Sequence, residues 1–222
     1  MSTKIRQKLG AIDRLLEEQY GRPRRKRGAP LDTLMETVLS QNTSDVNSGR
    51  AYDAMRKVFP TWEEVMQAPR DALEAVLKPG GLAHTKAARI QTILRALADR
   101  GPVSLDWIED LSDEAAEEAL LAFDGVGFKT ARCVLLFALG RDVFPIDTHI
   151  LRVLKRTGIV AANVTADQAH KALPQHIAKG RCYVLHLNLI AHGRRVCRRR
   201  NPACAACVIR RCCRYARSGR AA

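Results

Sequence analysis

The chain has 222 residues, of which 46% are hydrophobic and 27% are charged, so it can bury a substantial core and is not expected to be disordered. Its formal net charge is +14 at pH 7. An excess of this size favours a polyanionic partner, because each Lys or Arg paired with a phosphate releases counterions. No run of roughly 18 apolar residues could span a bilayer, and the first residues do not resemble a secretion signal. We therefore expect a cytoplasmic protein that binds nucleic acid and no membrane.

The elements in chain order are amphipathic helices. A first helix is predicted within residues 1–20, and the basic, Gly- and Pro-rich stretch 21–30 is a candidate boundary. Thr61 followed by Glu64 fits a capping box, and Gly80-Gly81 ends a helix. No period-2 pattern indicates paired strands, so the predicted class is all-α. Apolar residues recur at helical spacing in three further segments: Leu31, Leu34, Met35, Val38 and Leu39; Tyr52, Met55 and Phe59; Ile90, Ile93, Leu94 and Leu97.

The segment from Leu121 to Ala131 indicates two helices joined by a glycine turn, a helix-hairpin-helix. Gly125-Val126-Gly127 allows a tight turn whose exposed N–H groups can bind a phosphate without reading base sequence. Thr130 belongs to the same candidate DNA-binding set. Lys129 opens the second helix, where the helix dipole and a desolvated pocket would favour a neutral, nucleophilic amine. A lysine that only contacts phosphate is an equally good interpretation of the hairpin alone.

Asp147 favours the interpretation of Lys129 as a nucleophile over that of a phosphate-binding lysine. It follows Phe144-Pro145-Ile146, so we expect its carboxylate to be partly buried and in need of a cationic partner or several donors. It could also be only the N-cap of a helix through Ile150. The two roles can coexist on different oxygen atoms.

Cys197, Cys204, Cys207 and Cys213 form the pattern C-x6-C-x2-C-x5-C, which lies in a segment too short to build its own core. A metal centre explains this spacing, and it leaves both zinc and an iron–sulfur cube open. Cys212, adjacent to Cys213, is the alternative fourth ligand. Residues 181–222 contain eleven arginines and no acid, so a cluster could shape the loop holding Arg198, Arg199 and Arg200 to meet phosphates.

These three motifs, in this order and spacing, resemble the endonuclease III family of the helix-hairpin-helix DNA glycosylase superfamily from about residue 31 to residue 213. The resemblance implies a [4Fe–4S] cluster on the four cysteines and decides against zinc. It also implies two helical domains with a DNA-binding cleft between them. One is a six-helix domain at 30–138; the other joins 1–29 to 139–222 and carries the cluster.

The resemblance further implies a bifunctional DNA glycosylase and apurinic/apyrimidinic lyase that removes oxidised pyrimidines in base excision repair. Lys129 would attack the sugar and form an imine, and Asp147 would stabilise the positive charge that develops. The expected partner is duplex DNA with a damaged base or an abasic site. We expect the protein to be a monomer and to be associated with the nucleoid.

In the family, a leucine and a glutamine fill the space that a flipped nucleotide leaves. Leu82, after Gly81, matches the leucine, whereas the glutamine position falls on Asn42, with Gln41 one residue earlier. Two further departures are Asp124, in place of the usual hairpin proline, and Phe128 before the lysine. An acid beside a phosphate-binding turn weakens DNA affinity unless it is turned away or neutralised.

Two other functions are compatible with these motifs. One is a monofunctional mismatch-type glycosylase that removes adenine or thymine, although such relatives generally lack a lysine at position 129. The other is a catalytically weak DNA-damage-binding protein that keeps the fold and the cluster. Base release without strand scission would indicate the first, and tight lesion binding without turnover would indicate the second.

Overall fold

A computed structural model describes residues 2–218 of the chain, and the side chain of Ser2 is not part of that description. Helices joined by turns and short single-turn helices make up this range, and no β-strand occurs in it. The prediction of an all-α protein is confirmed. No helix within the same range is long and apolar enough to cross a bilayer.

The chain divides into two compact units. The hairpin unit is Lys26–Arg141, and the cysteine unit combines Met1–Arg25 with Asp142–Ala222. The predicted boundaries, at residues 30 and 138, lie a few residues inside those of the hairpin unit. Residues 1 and 219–222 of the predicted ranges lie outside the described residues.

The hairpin unit holds seven α-helices, of which α4 and α8 have only six residues each. Their bounds are α2 (Pro30–Leu39), α3 (Asp45–Val58), α4 (Trp62–Gln67), α5 (Arg70–Leu77), α6 (Ala83–Ala98), α7 (Asp113–Leu121) and α8 (Phe128–Cys133). A π-helical turn, Val134–Ala138, continues α8.

Local sequence explains where these helices begin. Pro30 stands at the first position of α2, where its missing N–H breaks no hydrogen bond. Thr61 caps α4 by accepting a hydrogen bond from the Glu64 amide, as the sequence predicts, and Ser112 caps α7 in the same way. The apolar positions predicted on α2 and α6 are buried, including Leu34 and Ile90 at 0% exposure, so these helices supply the core.

The cysteine unit joins the first helix to the last part of the chain. Its helices are α1 (Ser2–Tyr20), α9 (Thr148–Thr157), α10 (Ala166–Ala172), α11 (Cys182–Arg195) and α12 (Arg214–Arg217). The amide of Asn188 on α11 donates to the Gly21 carbonyl at the end of α1. The Tyr183 hydroxyl donates to the Arg24 carbonyl. These bonds fasten the N-terminal segment to a helix more than 150 residues later.

Arg181 pairs with two acids of α1. Its guanidinium forms a two-pronged ion pair with Asp13 of α1, at 2.7 and 3.0 Å, and it also pairs with Glu17. Asp13 is only 7% exposed. Because these hydrogen bonds favour the charged guanidinium, they raise the pKa of Arg181 above its ordinary value. A buried carboxylate that lost this partner would be left uncompensated.

We expect Arg181→Met to lower the free energy of unfolding by about 3 kcal/mol, because Asp13 would remain buried without its guanidinium. The matched control is Arg22→Met, since Arg22 is 69% exposed and lies 3.9 Å from Glu17. That variant should unfold like the wild type, because surface ion pairs contribute little. Urea denaturation followed by circular dichroism measures both, and equal losses in the two variants would contradict the assignment.

Candidate active site and cysteine cluster

The turn between α7 and α8 has the geometry that the sequence predicts. Gly125 adopts φ +73°, a left-handed conformation that L-residues avoid. Gly127 is the extended residue before α8, and Val126 between them is buried at 6% exposure. The turn is therefore anchored by one apolar side chain, while Gly127 is exposed to solvent.

Lys129 lies in the first turn of α8 and is partly buried. Its neighbour Thr130 is buried at 3% exposure, so the side chain of Thr130 points into the hairpin unit. Asp124, the acid that replaces the usual proline, is exposed. Water therefore screens its charge. Phe128 packs under the guanidinium of Arg132, 5.7 Å from the ring centre.

Gln41 connects the end of α2 to this hairpin. Its amide nitrogen lies 3.3 Å from the Thr130 hydroxyl and 3.5 Å from the Gly125 carbonyl. Its amide oxygen accepts a hydrogen bond of 2.5 Å from Arg89 of α6. Arg89 also packs against Gly125, where a methyl group on that glycine would overlap the guanidinium. The side-chain amide of Gln41 thus makes its hydrogen bonds within the hairpin unit.

Asn42 and Leu82 share an unusual backbone conformation. They adopt φ +55° and φ +51°, and both are exposed, with Leu82 at 56%. Left-handed backbone is uncommon for asparagine and costly for leucine, and it persists only where the surroundings enforce it. The two residues stand at the tips of the turns that follow α2 and precede α6.

Asp147 lies in the cysteine unit, where it is the N-cap of α9. Its Oδ1 accepts a hydrogen bond of 2.7 Å from the Ile150 amide, so the capping interpretation of this residue is correct. The preceding residues Phe144 and Ile146 are buried at 0% and 1% exposure. The Ile146 amide donates to His170 Nε2. The segment before Asp147 is therefore firmly held, and the carboxylate itself is partly buried.

The four cysteines of the predicted cluster line one cavity in the cysteine unit. Cys197, Cys204, Cys207 and Cys213 all face it, and Cys212 does not. Burial, with a smaller contribution from the neighbouring sulfurs, raises the pKa of the Cys207 thiol to about 11, although a backbone hydrogen bond from Ile209 opposes the shift. Burial also raises the pKa of Cys204. Four thiolates cannot share this apolar site unless a cation compensates their charge.

Among residues 2–218, no three His, Cys, Asp or Glu side chains form the compact group that a single metal ion needs. The four cysteine side chains nevertheless line one apolar cavity, and four thiolates are the donor set that would hold an iron–sulfur cluster.

Arginines of α9 hold the cysteine loop. Arg156 donates to the carbonyls of Arg198 and Arg199, and it lies 3.4 Å from Cys197 Sγ. Arg152 donates to the carbonyls of Cys197 and Gly193. The side chains of Arg198, Arg199 and Arg200 remain exposed. The loop thus presents positive charge while its backbone is bound from one side.

His192, which is fully buried, lies between the first helix and the cavity. Its Nδ1 is 3.0 Å from the Tyr20 hydroxyl, and its Nε2 is 3.5 Å from Cys207 Sγ. Burial lowers the pKa of this imidazole to about 4, so it is neutral at physiological pH. Sequence patterns did not reveal the roles of Lys86, Arg89, Arg152 and Arg156. The one available signal was Lys86, a lysine one turn before Ile90 on the apolar face of α6.

Comparison with known proteins identifies the class. Residues 35–179 match the family described as HhH-GPD superfamily base excision DNA repair protein. Endonuclease III of Sulfolobus acidocaldarius is 31% identical over 185 residues, which cover 82% of this chain and 81% of that protein. A solved endonuclease III in a non-covalent complex with DNA has a TM-score of 0.81 at 24% identity, covering 98% and 97% of the two chains. The chain therefore belongs to the HhH-GPD superfamily.

Within that superfamily the chain is an endonuclease III-like DNA glycosylase of base excision repair. Two plant relatives are longer proteins. One from Arabidopsis thaliana is 36% identical over 165 residues, and the chain spans 56% of its length. DNA glycosylase/AP lyase ROS1 from the same plant is 30% identical over 172 residues, which are 69% of this chain and 12% of that protein.

We expect Gly125→Ala to destabilise the protein by about 2 kcal/mol, because alanine is strained at positive φ and its methyl group would displace Arg89. Gly127→Ala is the matched control, since Gly127 has φ −100° and no described atom lies within 4 Å of a methyl group there. Chemical denaturation of both variants tests this difference. A Gly125→Ala protein that is as stable as Gly127→Ala would contradict it.

Proposed function

We propose that this protein is a bifunctional DNA glycosylase and apurinic/apyrimidinic lyase that removes oxidised pyrimidines from duplex DNA. One observation carries the proposal: a lysine, Lys129, stands in the first turn after a glycine hairpin that is held from beneath by Gln41 and Arg89. A relative at 30% identity bears the name DNA glycosylase/AP lyase, which supports the second activity. The protein would act as a monomer, in the cytoplasm, where the chromosome is accessible.

In the proposed reaction the Lys129 Nζ lone pair forms a bond to C1′ of a flipped nucleotide, and the C1′–N bond to the base breaks. The damaged base leaves with the bonding electrons and takes up a proton. Opening of the sugar gives an imine between Nζ and C1′. Loss of a C2′ proton then expels the 3′ phosphate by β-elimination, and water later hydrolyses the imine to release the lysine.

Asp147 would stabilise the positive charge that develops on the sugar and help to activate the amine. The capping bond uses Oδ1, and the proposal assigns the electrostatic role to Oδ2. A carboxylate fixed by a backbone hydrogen bond needs little rearrangement as charge develops, and such preorganisation is a main source of electrostatic catalysis.

DNA contacts in this proposal come from three groups of residues. The backbone amides of Gly125, Gly127 and Thr130 would bind phosphate, since the side chain of Thr130 is buried beside Gln41. Val126, predicted in the same set, donates its amide to the Phe123 carbonyl and would act by anchoring the turn. The exposed Arg198, Arg199 and Arg200 would meet further phosphates, and Asn42 and Leu82 would enter the duplex. Gln41, predicted as a DNA-binding residue, would act mainly by positioning the hairpin.

We also propose a [4Fe–4S] cluster on Cys197, Cys204, Cys207 and Cys213. Its role would be structural: four iron–sulfur bonds would fix the ends of the arginine-bearing loop. Arginine side chains of α9 hold the backbone of the same loop. Arg156 and Arg152 bind the loop carbonyls, and their positive charge offsets the negative charge of four thiolates.

Lys129→Ala should lower strand scission at a single damaged pyrimidine by about a thousandfold or more, because no other group would form the imine. Asp147→Asn should lower it as well, since it removes the charge while an amide oxygen can still cap α9. Lys57→Ala, an exposed lysine of the same unit, is the control and should cut like the wild type. Gel analysis of end-labelled duplexes gives all the rates.

Borohydride reduction distinguishes the alternatives. Wild type treated with borohydride and lesion DNA should give an adduct that peptide mapping places on Lys129. Base release without an adduct or scission would instead favour the monofunctional glycosylase. Lesion binding without either product would favour the damage-binding protein. Incision that proceeds with no trapped peptide containing Lys129 would overturn the mechanism.

The cluster predicts different behaviour for two adjacent cysteines. Cys213→Ser should lose the yellow-brown colour and most of the iron, whereas Cys212→Ser should keep both, because only Cys213 faces the cavity. Visible absorbance and iron analysis of freshly purified protein measure this. If Cys212→Ser loses the colour and Cys213→Ser keeps it, Cys212 is the fourth ligand. If the wild-type protein is colourless and contains zinc, the site binds zinc and no iron–sulfur cluster.

A further inference from the structure

Lys86 is an unusual residue because its side chain is almost wholly buried, at 2% exposure. Its ammonium donates to the Leu39 carbonyl at 2.6 Å and to the Gly80 carbonyl at 2.8 Å. Leu39 is the last residue of α2, and Gly80 lies in the turn before α6. One nitrogen therefore joins two backbone segments that are 41 residues apart in the sequence.

Each segment leads directly to an exposed residue in left-handed conformation. Asn42 follows Leu39 by three residues, and Leu82 follows Gly80 by two. The Gly80 segment also packs against α3, because a methyl group on Gly80 would lie 3.0 Å from the Ala51 side chain. The Gly80 turn therefore has little room to shift, and the two Lys86 hydrogen bonds link it to the turn after α2.

We propose that Lys86 is a positioning residue that sets the spacing of Asn42 and Leu82, so that both side chains enter the DNA duplex together. The inference rests on the proposed function, in which these two residues fill the space left by a flipped nucleotide. Lys86 itself is buried and does not touch DNA. Its effect is confined to the step that opens the duplex, and the chemistry at Lys129 does not depend on it.

This restriction defines the test. A damaged pyrimidine paired in a duplex must be unstacked before it reacts, whereas the same base in an unpaired bubble is already accessible. Lys86→Met should lower the paired-to-bubble ratio of single-turnover rates by about tenfold, because a lost charged hydrogen bond loosens the two turns. A variant whose only defect is lower stability would cut both substrates more slowly by the same factor, so the ratio would not change.

Gln91→Met is the matched control. Gln91 is also buried on α6, at 1% exposure, but its amide binds the carbonyls of Val65, Met66 and Ala68 at the end of α4. Both substitutions remove a buried polar group from the same helix. Gln91→Met should leave the paired-to-bubble ratio unchanged, even if its stability falls as much as that of Lys86→Met.

A second measurement, the fluorescence of a base analogue on binding, does not require the DNA to be cut. With 2-aminopurine beside the lesion, wild type should raise the fluorescence on binding, because the neighbouring base loses its stacking. Lys86→Met should bind the duplex, as followed by anisotropy, with little fluorescence change. If that variant cannot be purified folded, Lys86→Gln, which keeps a donor for one carbonyl, should move both readouts in the same direction.

An unchanged ratio and fluorescence in folded Lys86→Met or Lys86→Gln would overturn the inference. Wild type that cuts neither substrate would instead overturn the proposed function. The fluorescence comparison would still decide the role of Lys86 in that case.

Discussion

Hydrogen bonds from buried or half-buried cations to backbone carbonyls, and in one case to the side-chain amide of Gln41, hold the exposed turns of this protein in place. In the hairpin unit, α6 supplies both Lys86 and Arg89, which lie three residues apart on one helix face. Lys86 fixes the turns that carry Asn42 and Leu82. Arg89, through Gln41, fixes the turn that precedes Lys129. A single rigid helix thus supports each of the segments of this unit that are assigned to DNA.

The cysteine unit repeats this arrangement with different residues. Arg152 and Arg156, one turn apart on α9, donate to carbonyls of Gly193, Cys197, Arg198 and Arg199. Asp147, at the N-terminus of the same helix, is fixed by its cap. One helix therefore orders both the carboxylate proposed for the reaction and the basic loop. The side chains of Arg198, Arg199 and Arg200 are exposed, and that of Arg198 donates to the Asn201 carbonyl at 3.0 Å.

Much of this arrangement could be predicted from local sequence. The hairpin, the burial of the residues before Asp147 and its N-cap depend on spacing within a few residues, which single-sequence patterns capture. The cysteine spacing pointed to one site, and the structure brings those four side chains to one cavity. The partners of Gln41 and Lys86 could not be predicted, because Arg89 and Leu39 lie 48 and 47 residues away from them. Helical periodicity predicts which face of a helix is buried, but not which distant residue that face contacts.

Gln41 illustrates why adjacent amides can have different roles. Asn42 has a left-handed backbone and is exposed, whereas Gln41 points back into the hairpin unit. The reversal of direction between the two residues follows from the positive φ at Asn42, which turns the chain at that point. Counting residues from Leu39 and Asp45 predicts Asn42 at the duplex-facing position, and the structure shows that Asn42 is exposed with φ +55°. Asparagine reaches less far than glutamine would, and its left-handed conformation places its amide on an exposed turn.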